Sequence, residues 1–463
     1  MSLLNKDNEN LDQILNAVKE QGIDYLNKVD SRLTSTQIQA EIDNRLNVEG
    51  LGSIEALNEF NDRFEPLIVA SSGPRYWGFV TGGTTPAAIA GDWLASVYDQ
   101  NTQSAKGNGD VSAIIELETI KLLCSLLNLP DNFFGGFVTG ATLSNFTSLA
   151  VARQWIGKQS GKDFARSGVS DEVKVLSATP HSSAVKSLSM LGLGSDNVIK
   201  VEVAKGNREA IDIDDLERKI NELDGQPFIL ISSAGTVNTV DFDDFKSMKK
   251  LKQKYNFWWH IDAAFGGFAA CCPKYSHLVE DWDFADSITV DCHKWLNVPY
   301  ESAVFLIKNE HQLLQMETFQ NANAAYLGNP LENFSYLNFL PENSRRLKAL
   351  PAWFTLKSYG KSGYQEIVEQ NVEQALFFSA FINENPAFEL LAPVRLNTVC
   401  FALVDAKKNE TFLNTLNNSG KVFMTATSYK GKKGIRAAFV NWRTTNADID
   451  LVTNEIIKIL TEL

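Results

Sequence analysis

A lysine at the end of an apolar, β-branched run is the residue of this chain that is best suited to covalent chemistry. Lys294 lies in TVDCHKWLNVPYES (289–302), directly after His293. An ammonium group resists burial, so a lysine at the mouth of a buried strand is a poor choice for structure. A desolvated lysine amine, however, can form a Schiff base with a carbonyl compound. Although an arbitrary lysine at a strand end is usually a solvated surface residue, we take Lys294 as a candidate catalytic residue.

Polar side chains occupy the same kind of position after four other apolar runs. They are Thr142, His181, Thr236 and Asp262, each at or just past the end of a predicted strand. Ligands of a largely parallel sheet bind beyond the carboxyl ends of its strands. Taken singly, a histidine or an aspartate at such a point could simply cap a helix or bind a backbone amide. Together with Lys294, the four residues predict one shared site.

The elements that must position these residues alternate between strand and helix from about residue 110 to 310. The pattern predicts strands at 134–140, 173–180, 198–204, 227–235, 258–265, 285–291 and 302–308, and helices at 141–155, 181–192, 212–223 and 242–255. Apolar strands interleaved with helices are typical of an α/β fold, in which a mostly parallel sheet is covered on both faces.

Three further segments surround this core, and they suggest the divisions 1–75, 76–345 and 346–463. The first carries helical periodicity, with one stripe at Leu11, Ile14, Leu15 and Val18 and another at Ile38, Ile42 and Leu46. We expect it to pack on another subunit or on the main body. Residues 318–345 hold six asparagines and no sustained period, which predicts a lid or binding loop. The last division combines helices with alternating strand patterns at 387–404 and 434–442, which predicts a smaller α+β domain.

Composition excludes several classes of partner. A net charge of −13 without a dominant basic run argues against nucleic acid and anionic membrane. No apolar run approaches the ~18 residues of a membrane span, and the first residues lack the pattern of a secretion signal. The five cysteines have no framework spacing, so we expect reduced thiols in a soluble cytoplasmic protein.

The turn GGFVTGATLSN offers a site for an anion. It puts Gly140, Ala141 and Thr142 at a helix N-terminus, where unpaired N–H groups and the helix dipole favour phosphate. Asn145 is expected to stabilise the start of this helix. No GxGxxG or GxxxxGK[ST] motif occurs, which argues against nucleotide binding. Neither HExxH, CxxC nor GxSxG occurs, so we predict no zinc site and no serine hydrolase.

Three motifs, HKWL, HIDAAF and SATPHSS, resemble those of the pyridoxal-phosphate-dependent amino-acid decarboxylases of group II. The resemblance runs from about residue 70 to 450. It implies the aspartate-aminotransferase-like fold (fold type I), pyridoxal 5'-phosphate as cofactor, and a homodimer with active sites at the subunit interface. It also implies that Lys294 forms a Schiff base with the cofactor, that Asp262 faces the ring nitrogen, that Ala264 lies against the ring and that His181 stacks on it.

The same resemblance assigns further contacts to the cofactor. Ala141 and Thr142 would hold the phosphate, with Asp291 and His293 nearby, and Thr236 would contact the cofactor or its Schiff base.

It also extends to the substrate side and to the lid. Phe79 and Thr81, in PRYWGFVTGG, match positions of the substrate wall, and Tyr336 matches the tyrosine that protonates the substrate carbon. Tyr326 and Tyr336 could instead be packing residues of the loop. The chain departs from the aromatic members of the family at Gly78, where they have tyrosine, and at Asp291–Cys292, where they have Asn-Pro.

The predicted reaction is decarboxylation of an L-amino acid to an amine, since family members that form aldehydes have phenylalanine in place of Tyr336. A carbon–carbon lyase or an aminotransferase on the same fold, or a non-catalytic relative that acts as a binding protein, are the alternatives. The substrate stays open, because Arg75 could favour a second carboxylate whereas Trp77 and Phe79 could favour an aromatic ring.

Overall fold

The centre of the protein is a seven-stranded sheet. The computed structural model describes residues 2–104, 111–320 and 334–463. The strands are β1 (Phe133–Val138), β2 (Lys174–Ser177), β3 (Val198–Lys200), β4 (Phe228–Ser233), β5 (Phe257–Asp262), β6 (Ser287–Val290) and β7 (Ala303–Lys308). Their order is β1-β7-β6-β5-β4-β2-β3, and β7 alone runs antiparallel to both of its neighbours. The predicted α/β fold with a mostly parallel sheet is confirmed.

Helices follow most of these strands and cover the sheet. Those before and around it are α1 (Leu3–Glu9), α2 (Leu11–Lys28), α3 (Ser53–Arg63), α4 (Pro86–Tyr98), α5 (Ser112–Leu126), α6 (Ala141–Gln159), α7 (Phe164–Ser167), α8 (Ser182–Met190), α9 (Ile213–Glu222), α10 (Phe245–Lys254) and α11 (Gln312–Phe319). Alternate strand residues enter different cores: Ile229 and Ile231 belong to one buried cluster, whereas Leu230 belongs to the other. Burial on both faces explains why these strands are continuous apolar runs.

A second, four-stranded antiparallel sheet lies near the C-terminus. Its strands are β8 (Phe388–Leu390), β9 (Thr398–Leu403), β10 (Thr425–Tyr429) and β11 (Lys432–Ala438), in the order β10-β11-β9-β8. The accompanying helices are α12 (Ala349–Glu384), which is interrupted at Gly360, α13 (Asn409–Asn418) and α14 (Asn446–Glu462). Trp77 is buried in the core of this sheet. The division of the chain at residues 75 and 345 stays a prediction.

The N-terminal segment differs in part from its predicted pattern. The first apolar stripe lies on α2, as predicted. The helix predicted around Ile38, Ile42 and Leu46 is wrong, because no helix forms between α2 and α3. These three side chains are 68%, 93% and 100% exposed. A short helix gains most of its stability from packing its apolar face, and this stripe has no surface of its own chain to pack on.

The predicted lid at 318–345 is described only at its two ends. Residues 318–319 close α11, and residues 334–345 are irregular apart from a short 3-10 turn at Tyr336–Asn338. Tyr326 lies outside the described residues.

Two predictions from composition concern cysteines and membranes. The thiols of all five cysteines are free and buried. Within the described ranges, no helix is long and apolar enough to cross a lipid bilayer.

Candidate active site

A cavity of about 460 Å³ lies at the carboxyl ends of the central strands. Side chains from four separate predicted segments line it. The predicted site residues that line it are His181, Thr236, Asp262, Ala264 and Lys294. The register of the sheet explains part of this convergence, because Asp262 pairs with Ser233 on one side and Thr289 on the other.

Lys294 lies on a turn that follows β6. Its side chain is 14% exposed, and its Nζ lies 2.9 Å from Oδ2 of Asp291. His293 lies beside the same carboxylate, with 3.6 Å between Nε2 and Oδ2, and burial lowers the pKa of this imidazole. The irregular segment before α4 supports the turn from outside: a Cβ on Gly82 would stand 1.6 Å from the carbonyl oxygen of Lys294. Only glycine permits this approach.

Asp262 ends β5 and is only 6% exposed. Its two oxygens have separate partners: Oδ1 accepts from the backbone N–H of Ala264 at 3.2 Å, and Oδ2 accepts from Nδ2 of Asn145 at 3.1 Å. The carboxylate is therefore held in one orientation at the cavity wall, as an anion that faces a cofactor must be.

Asn145 connects the buried polar groups of the site. Besides Asp262, its Nδ2 donates to Oγ of Ser183 at 3.0 Å, and its Oδ1 accepts from Nε2 of His260 at 2.9 Å. Oγ of Ser287 lies 2.9 Å from the other ring nitrogen of His260. Burial lowers the pKa of His260 to about 4, so this histidine is neutral. The prediction that Asn145 stabilises the helix start is wrong: its side chain is the centre of a network between strands and helices.

His181 is the last member of this network. It caps α8, where Nδ1 accepts from the backbone N–H of Ser183 at 3.2 Å and lies 2.7 Å from the Ser183 hydroxyl. Since Nδ1 accepts hydrogen bonds, the proton of the neutral ring is on Nε2. Burial lowers the pKa of His181, although the charge of Asp262 opposes the shift. The ring is therefore a neutral donor at the cavity.

Two charged residues of the cavity were not predicted from the sequence. Arg436 extends from β11, is 9% exposed, and donates to the carbonyl oxygen of Val237 at 3.1 Å. Its Nε has no hydrogen-bond partner among the described residues. Glu209 accepts the hydroxyls of Thr236 and Thr239 on one oxygen, both at 2.6 Å. The proton of the Thr236 hydroxyl is therefore donated to Glu209, so toward a ligand in the cavity the hydroxyl oxygen can only accept a hydrogen bond.

The predicted phosphate site lies beside the lysine turn. Gly140 precedes the first residue of α6, and a Cβ on it would stand 3.5 Å from Cε1 of His293. Ala141 and Thr142 form the first turn of α6 but do not line the cavity. Their role in holding phosphate stays a prediction.

Tyr336 is not brought to the cavity. Its side chain is fully buried, and its hydroxyl donates to the carbonyl oxygen of Gly135 at 3.3 Å. The guanidinium of Arg345 lies over the ring at 4.7 Å. Burial raises the pKa of Tyr336 well above its usual value. A role as proton donor would require its segment to leave this packed position.

The predicted substrate residues lie outside the cavity as well. Phe79 is 60% exposed. The hydroxyl of Thr81 lies 3.4 Å from that of Tyr300, whose ring stacks on His293 at 4.3 Å. Their contact with substrate stays a prediction.

Two side chains that were considered for substrate recognition have structural roles instead. Arg75 is buried and paired with Asp448 at 2.7 Å, and it donates to the backbone of Lys421. Trp77 is buried in the core of the small sheet. The suggestions that Arg75 binds a second carboxylate and that Trp77 binds an aromatic ring are therefore wrong.

The residues of the cavity fit the cofactor that the sequence motifs imply. An amine, Lys294, can attach to an aldehyde, and an oriented carboxylate, Asp262, can face a pyridine nitrogen. A helix N-terminus lies beside the lysine turn, where a phosphate is favoured. Asp291 and Arg436 each have one buried polar atom without a partner in the described part of the chain.

Comparisons with known proteins agree with this chemistry. Residues 38–404 match the model of the pyridoxal-dependent decarboxylase conserved domain. The chain is 27% identical over 448 residues to an aromatic-L-amino-acid decarboxylase of Bacillus atrophaeus, which covers 92% of this chain and 90% of the relative. It is 25% identical over 415 residues to a phenylacetaldehyde synthase of Arabidopsis thaliana, with 83% and 81% covered.

The fold is shared with solved structures. Oryza sativa TDC with PLP and tryptamine superposes with a TM-score of 0.89 at 20% identity, covering 98% of both chains. Catharanthus roseus tryptophan decarboxylase in complex with L-tryptophan superposes with a TM-score of 0.87 at 20% identity, covering 98% of this chain and 99% of the other.

Proposed function

Because the chain belongs to the pyridoxal-dependent decarboxylase family and uses pyridoxal phosphate, we propose that it removes carbon dioxide from an L-amino acid and releases the amine. The family, the enzyme class and the cofactor that the sequence predicted are thereby confirmed. The observation that carries the proposal is the cavity in which Lys294, Asp262 and His181 meet.

When bound, the cofactor supplies a protonated pyridine ring that takes up the electrons left on the substrate carbon. Lys294 provides the amine that holds the cofactor. Asp262 would keep the proton on the ring nitrogen. Its carboxylate is held in one orientation by hydrogen bonds from Asn145 and from the N–H of Ala264. His181 offers Nε2–H to a negatively charged group in the cavity, and the hydroxyl oxygen of Thr236 can accept a hydrogen bond there.

Arg436 is our candidate for binding the carboxylate of the substrate. It is a buried cation that lines the cavity, and its Nε has no acceptor among the residues that the structure describes. A hydrogen bond between charged groups contributes ~1.5–3 kcal/mol. Arg436→Gln should therefore lower kcat/KM by about ten- to a hundredfold. Arg443→Gln, on the following loop and stacked on Trp442, is the control and should leave kcat/KM unchanged.

The second candidate reaction is oxidative: an L-amino acid, dioxygen and water give an aldehyde, carbon dioxide, ammonia and hydrogen peroxide. It is favoured by the buried position of Tyr336 and by relatives named as aldehyde synthases. If Tyr336 is the proton donor, Tyr336→Phe should convert amine production into aldehyde production. If the variant still makes amine at the full rate, another group donates the proton.

We also propose a homodimer in the cytoplasm. Leu11 and Leu15 on α2 are about half exposed, and Ile42 and Leu46 are almost fully exposed. Apolar surface of this extent on one segment is typical of an interface. A single sedimenting species of one chain's mass would contradict the dimer.

A panel of L-amino acids tests the proposed reaction. Release of carbon dioxide with one amine supports it, whereas a keto acid indicates an aminotransferase and cleavage between other carbons indicates a lyase. A protein that binds the cofactor but converts no amino acid would instead be a non-catalytic relative. Aromatic, acidic and diamino acids belong in the panel, because the substrate stays open.

A further inference from the structure

Asp291 is a buried carboxylate, and one of its two oxygens has no hydrogen-bond partner in the described part of the chain. It is 2% exposed, and Oδ2 pairs with the Lys294 ammonium at 2.9 Å. Oδ1 is buried and has no hydrogen-bond partner among the residues that the structure describes. A buried charged acceptor without a partner is unfavourable. We therefore expect Oδ1 to form a hydrogen bond when the cofactor is bound.

The surroundings of Asp291 identify that partner. Nε2 of His293 lies 3.6 Å from Oδ2 of Asp291, and Cε1 of the same ring would stand 3.5 Å from a Cβ on Gly140, so His293 connects Asp291 with the predicted phosphate site at the start of α6. The titratable groups that face Asp291 are Lys294, His293 and Cys292 on its own segment and His181 at the start of α8. Once the ammonium of Lys294 is lost, a carboxylate and a phosphate in this place repel each other unless a proton lies between them.

We propose that Asp291 is a positioning residue that keeps the proton which Lys294 loses when pyridoxal phosphate attaches. The inference rests on the proposed attachment to Lys294. The ammonium of Lys294 gives one proton to Asp291, and the neutral amine then forms a double bond to the aldehyde carbon. The aldehyde oxygen leaves as water with the two remaining amine hydrogens. Asp291 stays a neutral carboxylic acid, whose O–H donates to the phosphate, and no proton reaches the solvent.

Proton counting tests this inference without an activity assay. Cofactor-free wild type and Asp291→Asn are titrated with pyridoxal phosphate in a calorimeter at about pH 8, in two buffers with different heats of ionisation. The asparagine variant should release about one proton more per chain than the wild type. By linkage, its dissociation constant should fall about tenfold per pH unit relative to that of the wild type. Asp291→Ser, which also lacks an ionisable group, should give the same excess.

Two controls isolate the cause. Glu301→Gln removes an exposed carboxylate whose charge reaches His293, and it should release as many protons as the wild type. With pyridoxal, which lacks the phosphate, wild type and Asp291→Asn should release equal numbers.

Three results separate the possible failures. Equal proton release by wild type and Asp291→Asn with pyridoxal phosphate would overturn the inference. If Asp291→Asn also releases more protons than the wild type when pyridoxal binds, the inference is overturned, because the phosphate is then not the group that Asp291 bonds to. A wild type that binds no pyridoxal phosphate at all would instead contradict the proposed function.

Discussion

Replacing Asn145 by alanine is the sharpest test of the buried network at the active site. The substitution removes one amide that serves three groups: Asp262, Ser183 and His260. The Nε2–H of His260 would then be a buried donor without a partner, since this side chain is fully buried. Among the described residues, the backbone N–H of Ala264 would then be the one remaining donor to the carboxylate of Asp262.

The size of the effect follows from these contacts. A buried donor left without a partner costs about 1–3 kcal/mol, and a lost hydrogen bond to a charged group costs about 1.5–3 kcal/mol. The hydroxyl of Ser183 can rotate and adds little. Asn145→Ala should therefore lower the free energy of unfolding by about 2.5–6 kcal/mol. Its affinity for pyridoxal phosphate should fall about tenfold or more, because Asp262 is no longer held in one orientation.

Urea denaturation of the cofactor-free protein and equilibrium titration with pyridoxal phosphate measure the two effects. Ser148→Ala is the matched control: Ser148 is on the same helix, is fully buried, and its hydroxyl has no partner in the described part of the chain. It should change the free energy of unfolding by less than about 0.5 kcal/mol. If Asn145→Ala loses less than about 1 kcal/mol and keeps its cofactor affinity, the network does not act as we describe.

Two further predictions concern stability. The pKa of His260 is about 4 in the folded protein and ~6.5 in the unfolded chain. Between about pH 4 and 6.5 the unfolded chain therefore binds a proton at His260 that the folded protein does not bind. The free energy of unfolding falls as the pH drops from about 6.5 to 4, by about 3 kcal/mol in total. Urea denaturation at several pH values should show that the free energy of unfolding falls less steeply with decreasing pH in His260→Gln than in the wild type. An identical pH dependence in both proteins would contradict the lowered pKa of His260. Arg345 and Glu116 form a fully buried ion pair at 2.7 Å, so Arg345→Met should lower the free energy of unfolding by about 3–5 kcal/mol. A loss below about 1 kcal/mol would contradict the importance of this pair.

The central sheet could be predicted from the sequence because both of its faces are buried. Every residue of β4 and β5 is buried, and four of the six residues in each strand are apolar, which local composition reveals. The polar residues that end such runs, Asp262 and Lys294, are conspicuous for the same reason. Their meeting in one cavity follows from the parallel direction of the strands.

The network around Asn145 could not be predicted, because it depends on contacts distant in the sequence. The partners of its amide, Ser183, His260 and Asp262, lie 38, 115 and 117 residues away. A polar residue near the start of a helix ordinarily forms local hydrogen bonds, so no pattern in the sequence indicates another role for Asn145. Arg436 was missed for a similar reason: nothing near it in the sequence indicates that the small sheet meets the cavity.

The helix predicted at Ile38, Ile42 and Leu46 does not form, although these residues have helical spacing. Periodicity reports which side chains could share a face, whereas a helix also needs a surface to pack on. β10 was not predicted from the sequence, because Thr425–Tyr429 contains small and polar residues and is only partly buried.

Attachment of the cofactor to Lys294 is the claim on which the proposed chemistry depends. The protein loaded with pyridoxal phosphate is reduced with borohydride and digested, and the labelled peptide is identified by mass spectrometry. We predict that the label is on Lys294, within TVDCHKWLNVPYES, and that Lys294→Ala carries none. Label on a different residue, or a wild type without label, would contradict the account.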